Sequence, residues 1–348
     1  MESNKVRIGV IGIGWIGSHY ARIVLEHPDA ELVAVMNPHE DRVRRFMLQE
    51  NVSFRYYDNV ESLFKQDDID AVIIASPNHV HADQTVAAAV AGKHIFCDKP
   101  MAINLDDCKR IVKAVGEAGV KYQIGYHRRF NPLYQYAKEL IAGGRFGEVF
   151  CIESDYLHQM TSGSDIYNWI GKERIGGSVF HAGSGHNVDL LRFFGGDIKE
   201  VSCFKDIFVH KGHVETEDTA IAVYRFENGT IGKVHFCVGP VLPFTFNFRL
   251  YGTKATLMNN KLWLDSEPMP NRREIGRQDC IVLPESWIPD SVLGGIGEPW
   301  DKCIDHFIDA VVNDKPTGNG VEDAFRTSEV CFATILAAQE KRVVTLPL

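Results

Sequence analysis

Residues 71–75, Ala-Val-Ile-Ile-Ala, form an apolar run with no polar alternation. Such a run predicts a parallel strand covered on both faces. It leads through Ser76-Pro77-Asn78 into the alanine-rich stretch 82–91, which is stopped by Gly92 and predicts a helix with a glycine C-cap. Residues 94–97 read as the next strand, delivering Asp98-Lys99-Pro100 at its carboxyl end. Ligands bind at that end of an open α/β sheet, so Lys99 is the first candidate for chemistry.

The same order appears earlier in the chain. An apolar strand at 5–11 runs into Gly12-Ile13-Gly14-Trp15-Ile16-Gly17, and a helical segment follows. The first glycine allows a tight turn, the second lets backbone approach a pyrophosphate, and the third allows close helix–strand packing. Three glycines also serve plain turns. Here they follow a strand, open a helix and precede a second strand at 31–36, the context dinucleotide binding requires. The second strand ends at Asn37, where an acid usually grips the adenosine ribose. Asparagine can bond a ribose but carries no charge to repel an extra phosphate, and His39, Arg42, Arg44 and Arg45 follow. NAD is the expected cofactor and NADP the alternative.

Further elements are predicted at 42–49 (helix), 53–57 (strand), 60–65 (helical turn), 104–119 (helix capped by Asn104) and 121–125 (strand). This alternation predicts a doubly wound parallel sheet over residues 1–124. After a helix at 133–142 and the Gly143-Gly144 stop, strands dominate at 148–157, 199–209, 217–226, 230–239, 244–252 and 255–264. Asn228-Gly229 is the strongest hairpin signal. Residues 125–348 are therefore expected to form an α+β domain. Its mostly antiparallel sheet would have one face free, and it would close with helices near 300–313 and 321–340 and a strand at 343–346. At 348 residues, two domains are the expectation, with those C-terminal helices packing back on the first domain as an option.

A net charge of −9 argues against nucleic acid as a partner. No apolar run reaches the roughly 18 residues of a membrane span, and the N-terminus has no signal-peptide pattern. Eight scattered cysteines without a Cys-x-x-Cys pair fit reduced thiols in a cytoplasmic protein.

Hydride transfer between an alcohol and a nicotinamide needs a proton carrier on the alcohol oxygen, and a lysine with a lowered pKa can be one. A surface charge is the plain alternative for Lys99. A second cluster lies at 175–196, where glycines precede a predicted helix with His186 at its start and Asp189 three residues on to orient it. His181 lies nearby. No metal is expected, because these histidines lack i,i+4 spacing and no cysteine cluster supports them. Arg128 and Arg129, flanked by Tyr126 and His127, could clamp a polyhydroxylated or anionic substrate, or pair with acids. Trp169 could stack on a sugar or sit in a core.

Together these motifs resemble the Gfo/Idh/MocA oxidoreductases, the family of glucose–fructose oxidoreductase and inositol dehydrogenase. The matching segments are 12–17, Ala75-Ser-Pro-Asn78 with His81, Asp98-Lys-Pro100, Gly125-Tyr-His-Arg-Arg-Phe-Asn-Pro132, the run ending His186-Asn-Val-Asp189, and Glu217-Asp-Thr-Ala220. The resemblance implies a Rossmann domain, a second domain whose open sheet mediates homo-oligomerisation, and NAD(P)-dependent oxidation or reduction of sugars or inositol-like polyols. It places Lys99 on the catalytic lysine and His186 on the catalytic histidine. It places Ser76, Asn78 and His81 on a cofactor-contacting turn and Asp98 on the usual glutamate of the Glu-Lys-Pro motif. Pro77 and His127 are further cofactor candidates, and Tyr126, Arg128, Arg129, Trp169 and Asp189 are the substrate candidates. The chain departs from the family at Asn37, at His127 where asparagine is common, and at Ala182 where an aspartate is frequent. His181 is the candidate to replace that aspartate.

The expected function is a sugar or polyol dehydrogenase or reductase. The alternatives are a cofactor-recycling epimerase or glycosidase, and a dinucleotide-binding regulator without turnover.

Overall fold

The computed structural model describes residues 5–161, 168–265, 280–288 and 298–348. Most of the turn-rich segment 265–299, for which the sequence predicts no element, lies outside the described residues. The chain divides into two compact units. The first comprises Met1–Tyr126, Arg174–Gly177 and Trp300–Ser328; the second comprises His127–Glu173, Ser178–Pro299 and Glu329–Leu348. Residues 300–328 thus fall in the first unit, although a boundary at 124/125 assigns them to the second.

The first unit holds a six-stranded sheet in the order β3-β2-β1-β4-β5-β6. Its strands are β1 (Val6–Ile11), β2 (Ala30–Met36), β3 (Arg55–Tyr57), β4 (Ala71–Ile74), β5 (His94–Cys97) and β6 (Tyr122–Ile124). Every pairing is parallel. The strand order reverses between β1 and β4, the switch point at which such sheets bind ligands. β4 is buried along its whole length, as its uninterrupted apolar run requires. The edge strand β6 is covered by the returning chain. Ile124 N–H donates to the Asn319 carbonyl at 3.1 Å, and Thr317 Oγ1 donates to the Tyr122 carbonyl at 2.7 Å. That covering explains why 300–328 belongs to this unit.

The second unit holds a nine-stranded sheet in the order β14-β13-β12-β11-β7-β10-β9-β8-β15. It comprises β7 (Val149–Leu157), β8 (Ile198–Asp206), β9 (Thr219–Phe226), β10 (Ile231–Cys237), β11 (Thr245–Gly252), β12 (Ala255–Met258), β13 (Lys261–Leu264), β14 (Ile281–Val282) and β15 (Val344–Thr345). All pairs are antiparallel except β7 with β10. The single strand expected at 255–264 is a hairpin. Asn259 turns it with φ of 51°, a left-handed conformation asparagine tolerates, and its Oδ1 accepts from Phe248 N–H at 2.9 Å.

Burial alternates along β9, with Ala220, Ala222, Tyr224 and Phe226 inward and Ile221 and Val223 outward. On the inward face lies the helix Val179–Gly195, almost every residue of which is buried. His186 is in the middle of this helix, not at its start as the glycine density suggests. Gly183 lies inside the helix because a Cβ there would sit 2.8 Å from the Phe236 ring. It serves close helix–sheet packing, not a turn.

Candidate active site

In the first unit, three glycines of one turn meet three different environments. A Cβ on Gly12, whose φ is +92°, would lie 2.6 Å from the Ala75 carbonyl oxygen, and one on Gly17 would lie 2.0 Å from that of Gly12. These two are required by the protein's own packing. A Cβ on Gly14 would meet nothing within 4 Å. Gly14 is also the N-cap of the helix Trp15–Glu26, with no side-chain cap bond and no acid in its first turn. Open room above uncapped helix amides is the cradle a pyrophosphate needs, so the residues fit a dinucleotide. Trp15 is 72% exposed, with its ring edge-on to Trp300 at 5.6 Å.

Asn37 follows β2 and is buried. Its Oδ1 accepts from His39 N–H at 2.9 Å, and its carbonyl accepts from Tyr56 Oη at 3.1 Å. The side-chain oxygen is thus used within the loop. Arg44 pairs with Glu40 at 2.6 Å, and Arg45 lies 3.8 Å from Asp41 on the same helix. Both fit the plain reading of a solvated helix face.

After β4, Ser76 Oγ donates to Gln84 Oε1 at 2.6 Å. Asn78 is buried and donates through Nδ2 to the Gly176 carbonyl at 2.8 Å. His81, expected against the cofactor, is corrected here. It is fully buried, and both ring nitrogens lie 2.8 Å from carbonyl oxygens of the chain, so it supports the turn from beneath. After β5, Asp98 Oδ1 accepts from Tyr20 Oη at 2.8 Å, and the Lys99-Pro100 peptide is cis. Lys99 is half-buried at this corner. Tyr126, expected to touch substrate, has no exposed surface and is a core residue.

In the second unit, the turn His127–Phe130 brings three basic side chains into the interior. Arg129 donates twice to Asp189, from Nε and Nη2 at 2.7 Å each, and both residues are buried. Arg129 and Asp189, expected as separate substrate contacts, therefore form a bidentate pair with each other. Both Asp189 oxygens accept from the guanidinium.

Arg128 donates to Glu298 at 2.6 Å and lies with its Cζ 3.8 Å from the centre of the Phe246 ring. His127 Nε2 meets the other oxygen of Glu298 at 2.7 Å. Burial pushes the Glu298 carboxyl up, yet Arg128 and His127 outweigh it and hold it down at about 2. The His127 ring packs edge-on against His186, with centroids 4.6 Å apart. His127 was expected near the cofactor; its observed partners are Glu298 and His186. Glu298 was not anticipated, since nothing local marks it and its partners are 170 and 171 positions away.

His181 lies five residues before His186 on the same helix, edge-on to Phe332 at 4.9 Å. The start of that helix is held by Glu217, which accepts from Phe180 N–H at 2.8 Å, from Ser178 Oγ at 2.5 Å and from Lys205 Nζ at 2.8 Å. Glu217 therefore anchors the helix that carries both histidines. Trp169 is half-buried. Among the described residues no group of three or more His, Cys, Asp or Glu side chains is arranged to hold a metal, and no helix is long and apolar enough to cross a membrane.

Two family models match the chain. An oxidoreductase family with an NAD-binding Rossmann fold covers residues 6–126, and a GFO/IDH/MocA C-terminal domain covers 134–258. The myo-inositol 2-dehydrogenase of Thermotoga maritima is 29% identical over 72% of this chain and 74% of its own. The levoglucosan dehydrogenase structure with NADH and levoglucosan superposes with a TM-score of 0.86 at 21% identity, over 99% of this chain and 100% of that one. The WlbA dehydrogenase of Bordetella pertussis with NADH and UDP-GlcNAcA gives 0.84 at 24% identity, over 100% and 99%. At these identities the two structures establish the fold. With family models on both units and a glycine turn open at the one position a pyrophosphate would use, the chain belongs to the Gfo/Idh/MocA family of NAD-binding oxidoreductases.

Proposed function

We propose that the protein moves hydride between NAD and a hydroxyl or keto group of a sugar, sugar derivative or inositol-like polyol. The open space at Gly14, set against the packed Gly12 and Gly17, is the observation that carries this reading. Relatives named for inositol, for 1,5-anhydro-D-fructose and for levoglucosan support the substrate class. In this reading residues 1–124 with the returning segment 300–328 bind the dinucleotide, and the second unit binds the substrate. Gly12 to Gly17 and the amides of the helix Trp15–Glu26 take the pyrophosphate, with Trp15 and Ile16 on its approach. Asn37 takes the ribose through its amide group, and Ser76, Pro77 and Asn78 shape the far side of the pocket.

When bound, the nicotinamide accepts or gives hydride. Lys99 Nζ takes the proton from the substrate hydroxyl on oxidation and returns it on reduction. In the second unit His186 is assigned to hold a substrate hydroxyl or relay its proton, with His181 on its helix filling the place of the frequent aspartate. His127 and Arg128, fixed by Glu298, keep the surroundings of His186 ordered, and Trp169 stacks on the sugar.

The outward face of the nine-stranded sheet carries Phe204, 85% exposed, with Ile221 and Val223. We assign it to self-association as a dimer or tetramer, in the cytoplasm. Titration with NADH and NADPH by tryptophan quenching, followed by a polyol panel, tests the reading. Binding of neither nucleotide would remove it.

A further inference from the structure

His81 has no exposed surface and lies between two backbone carbonyls. Nδ1 is 2.8 Å from the Pro100 oxygen, and Nε2 is 2.8 Å from the Ser76 oxygen. A carbonyl oxygen only accepts. A neutral imidazole has one N–H and one lone pair, so it can satisfy one of these contacts while setting lone pair against lone pair at the other. Only the doubly protonated ring donates to both. We propose that His81 is a protonated imidazolium in the resting protein, strapping the turn after β4 to the corner after β5 as a positioning residue.

The surroundings agree with that charge. Burial opposes it, but Cys97, the Pro100 carbonyl and Asp98 lift the group to about 9. Cys97 and Asp98 are the titratable groups facing the ring from β5 and its corner. On the ring's own helix, Asp83 points to solvent and pairs with Arg110 at 2.8 Å, and Gln84 is neutral and accepts from Ser76 Oγ. The two strapped segments are the turn proposed to contact the cofactor and the corner that carries Lys99. Breaking the strap frees both at once, with Pro100 directly following the lysine.

The test uses the whole protein labelled with 15N-histidine. The signal of His81, one of 14 histidines, is identified by its disappearance in His81→Gln. At pH 7.5 both ring nitrogens of His81 are expected to carry protons; one protonated nitrogen overturns the proposal. Because the folded pKa is raised, the stabilisation is full below the ordinary value of 6.5 and is lost as pH rises through about 9. The gap in Tm between the natural protein and His81→Gln should therefore close over that range, and a gap independent of pH also overturns the proposal. If the variant does not fold, the histidine can be assigned by sequential NMR and the first readout still decides. The effect on turnover, a fall of about 10²-fold in kcat, rests on the lysine chemistry proposed above. The charge state is read without substrate, so the two ideas fail separately.

Discussion

In the six-stranded sheet every residue of β4 is buried, whereas in the nine-stranded sheet β9 buries every second residue and leaves the others exposed or half-exposed. A strand covered on both faces has no side chain to offer a ligand along its length, so its chemistry collects at the carboxyl end. Gly12, Ser76 and Lys99 all follow such ends. The second sheet covers one face with its own helix and turns Ile221 and Val223 outward on the other. Its candidate chemistry therefore sits on the helix Val179–Gly195 and the turn His127–Phe130, held by buried ion pairs. One unit positions reactive groups by backbone turns, and the other by charge.

Substitutions can break that contrast. Lys99→Ala is expected to lower kcat by about 10²–10⁴-fold with folding intact, since the proposed mechanism gives Lys99 the substrate proton to carry. Steady-state kinetics beside a melting curve reads both; near-normal turnover removes Lys99 from the mechanism.

Glu298→Gln should act in the opposite way, costing about 3–5 kcal/mol of stability because Arg128 and His127 lose their buried counter-charge. The folded pKa of Glu298 is depressed to about 2 from 4.5. Its contribution is therefore present above pH 4.5 and fades as pH falls toward 2. Urea unfolding at pH 6 and pH 3 should show the gap between variant and parent shrinking at the lower pH. A gap that is constant with pH would mean the pair adds nothing as a charge.

The glycines sharpen the comparison within one turn. Gly17→Ala should destabilise by about 1–3 kcal/mol, because its Cβ meets the Gly12 carbonyl at 2.0 Å. Gly14→Ala, with nothing near its Cβ, should leave Tm within a degree or two and weaken NADH binding instead. Equal losses of Tm would show that the turn is only a packing device.

The smallest effect on stability, within about 0.5 kcal/mol, is expected for Phe204→Asp on the outward sheet face. Its readout is mass by light scattering. A parent that is already monomeric ends the assembly reading.

Local pattern made much of the fold legible. The order of strands and helices to residue 124, the Asn104 cap with its bond from Asp107 N–H, and the hairpin at Asn228-Gly229 all follow from periodicity and turn chemistry. Lys99 was found because an apolar run and a tight corner place it at a strand end. The glycine at 183 misleads, because sequence cannot distinguish a glycine that frees a turn from one that admits a neighbouring ring. The Arg129–Asp189 pair and the His127–Glu298 contact are illegible in the sequence for a related reason. Spacing along a helix offers Asp189 to His186, but Arg129 reaches it from sixty residues away with two bonds.

Local pattern accounts for the doubly wound unit, the dinucleotide turn and the strand end that presents Lys99, since each depends on residues close together in the chain. Tertiary structure alone decided that 300–328 completes the first unit, that β7 and β10 run parallel, and that Glu298 fixes His127 and Arg128. It also decided that His81 faces two carbonyls. Long-range pairing joins segments whose local patterns are silent about one another, and a buried charge declares its partner only when the chain has closed around it.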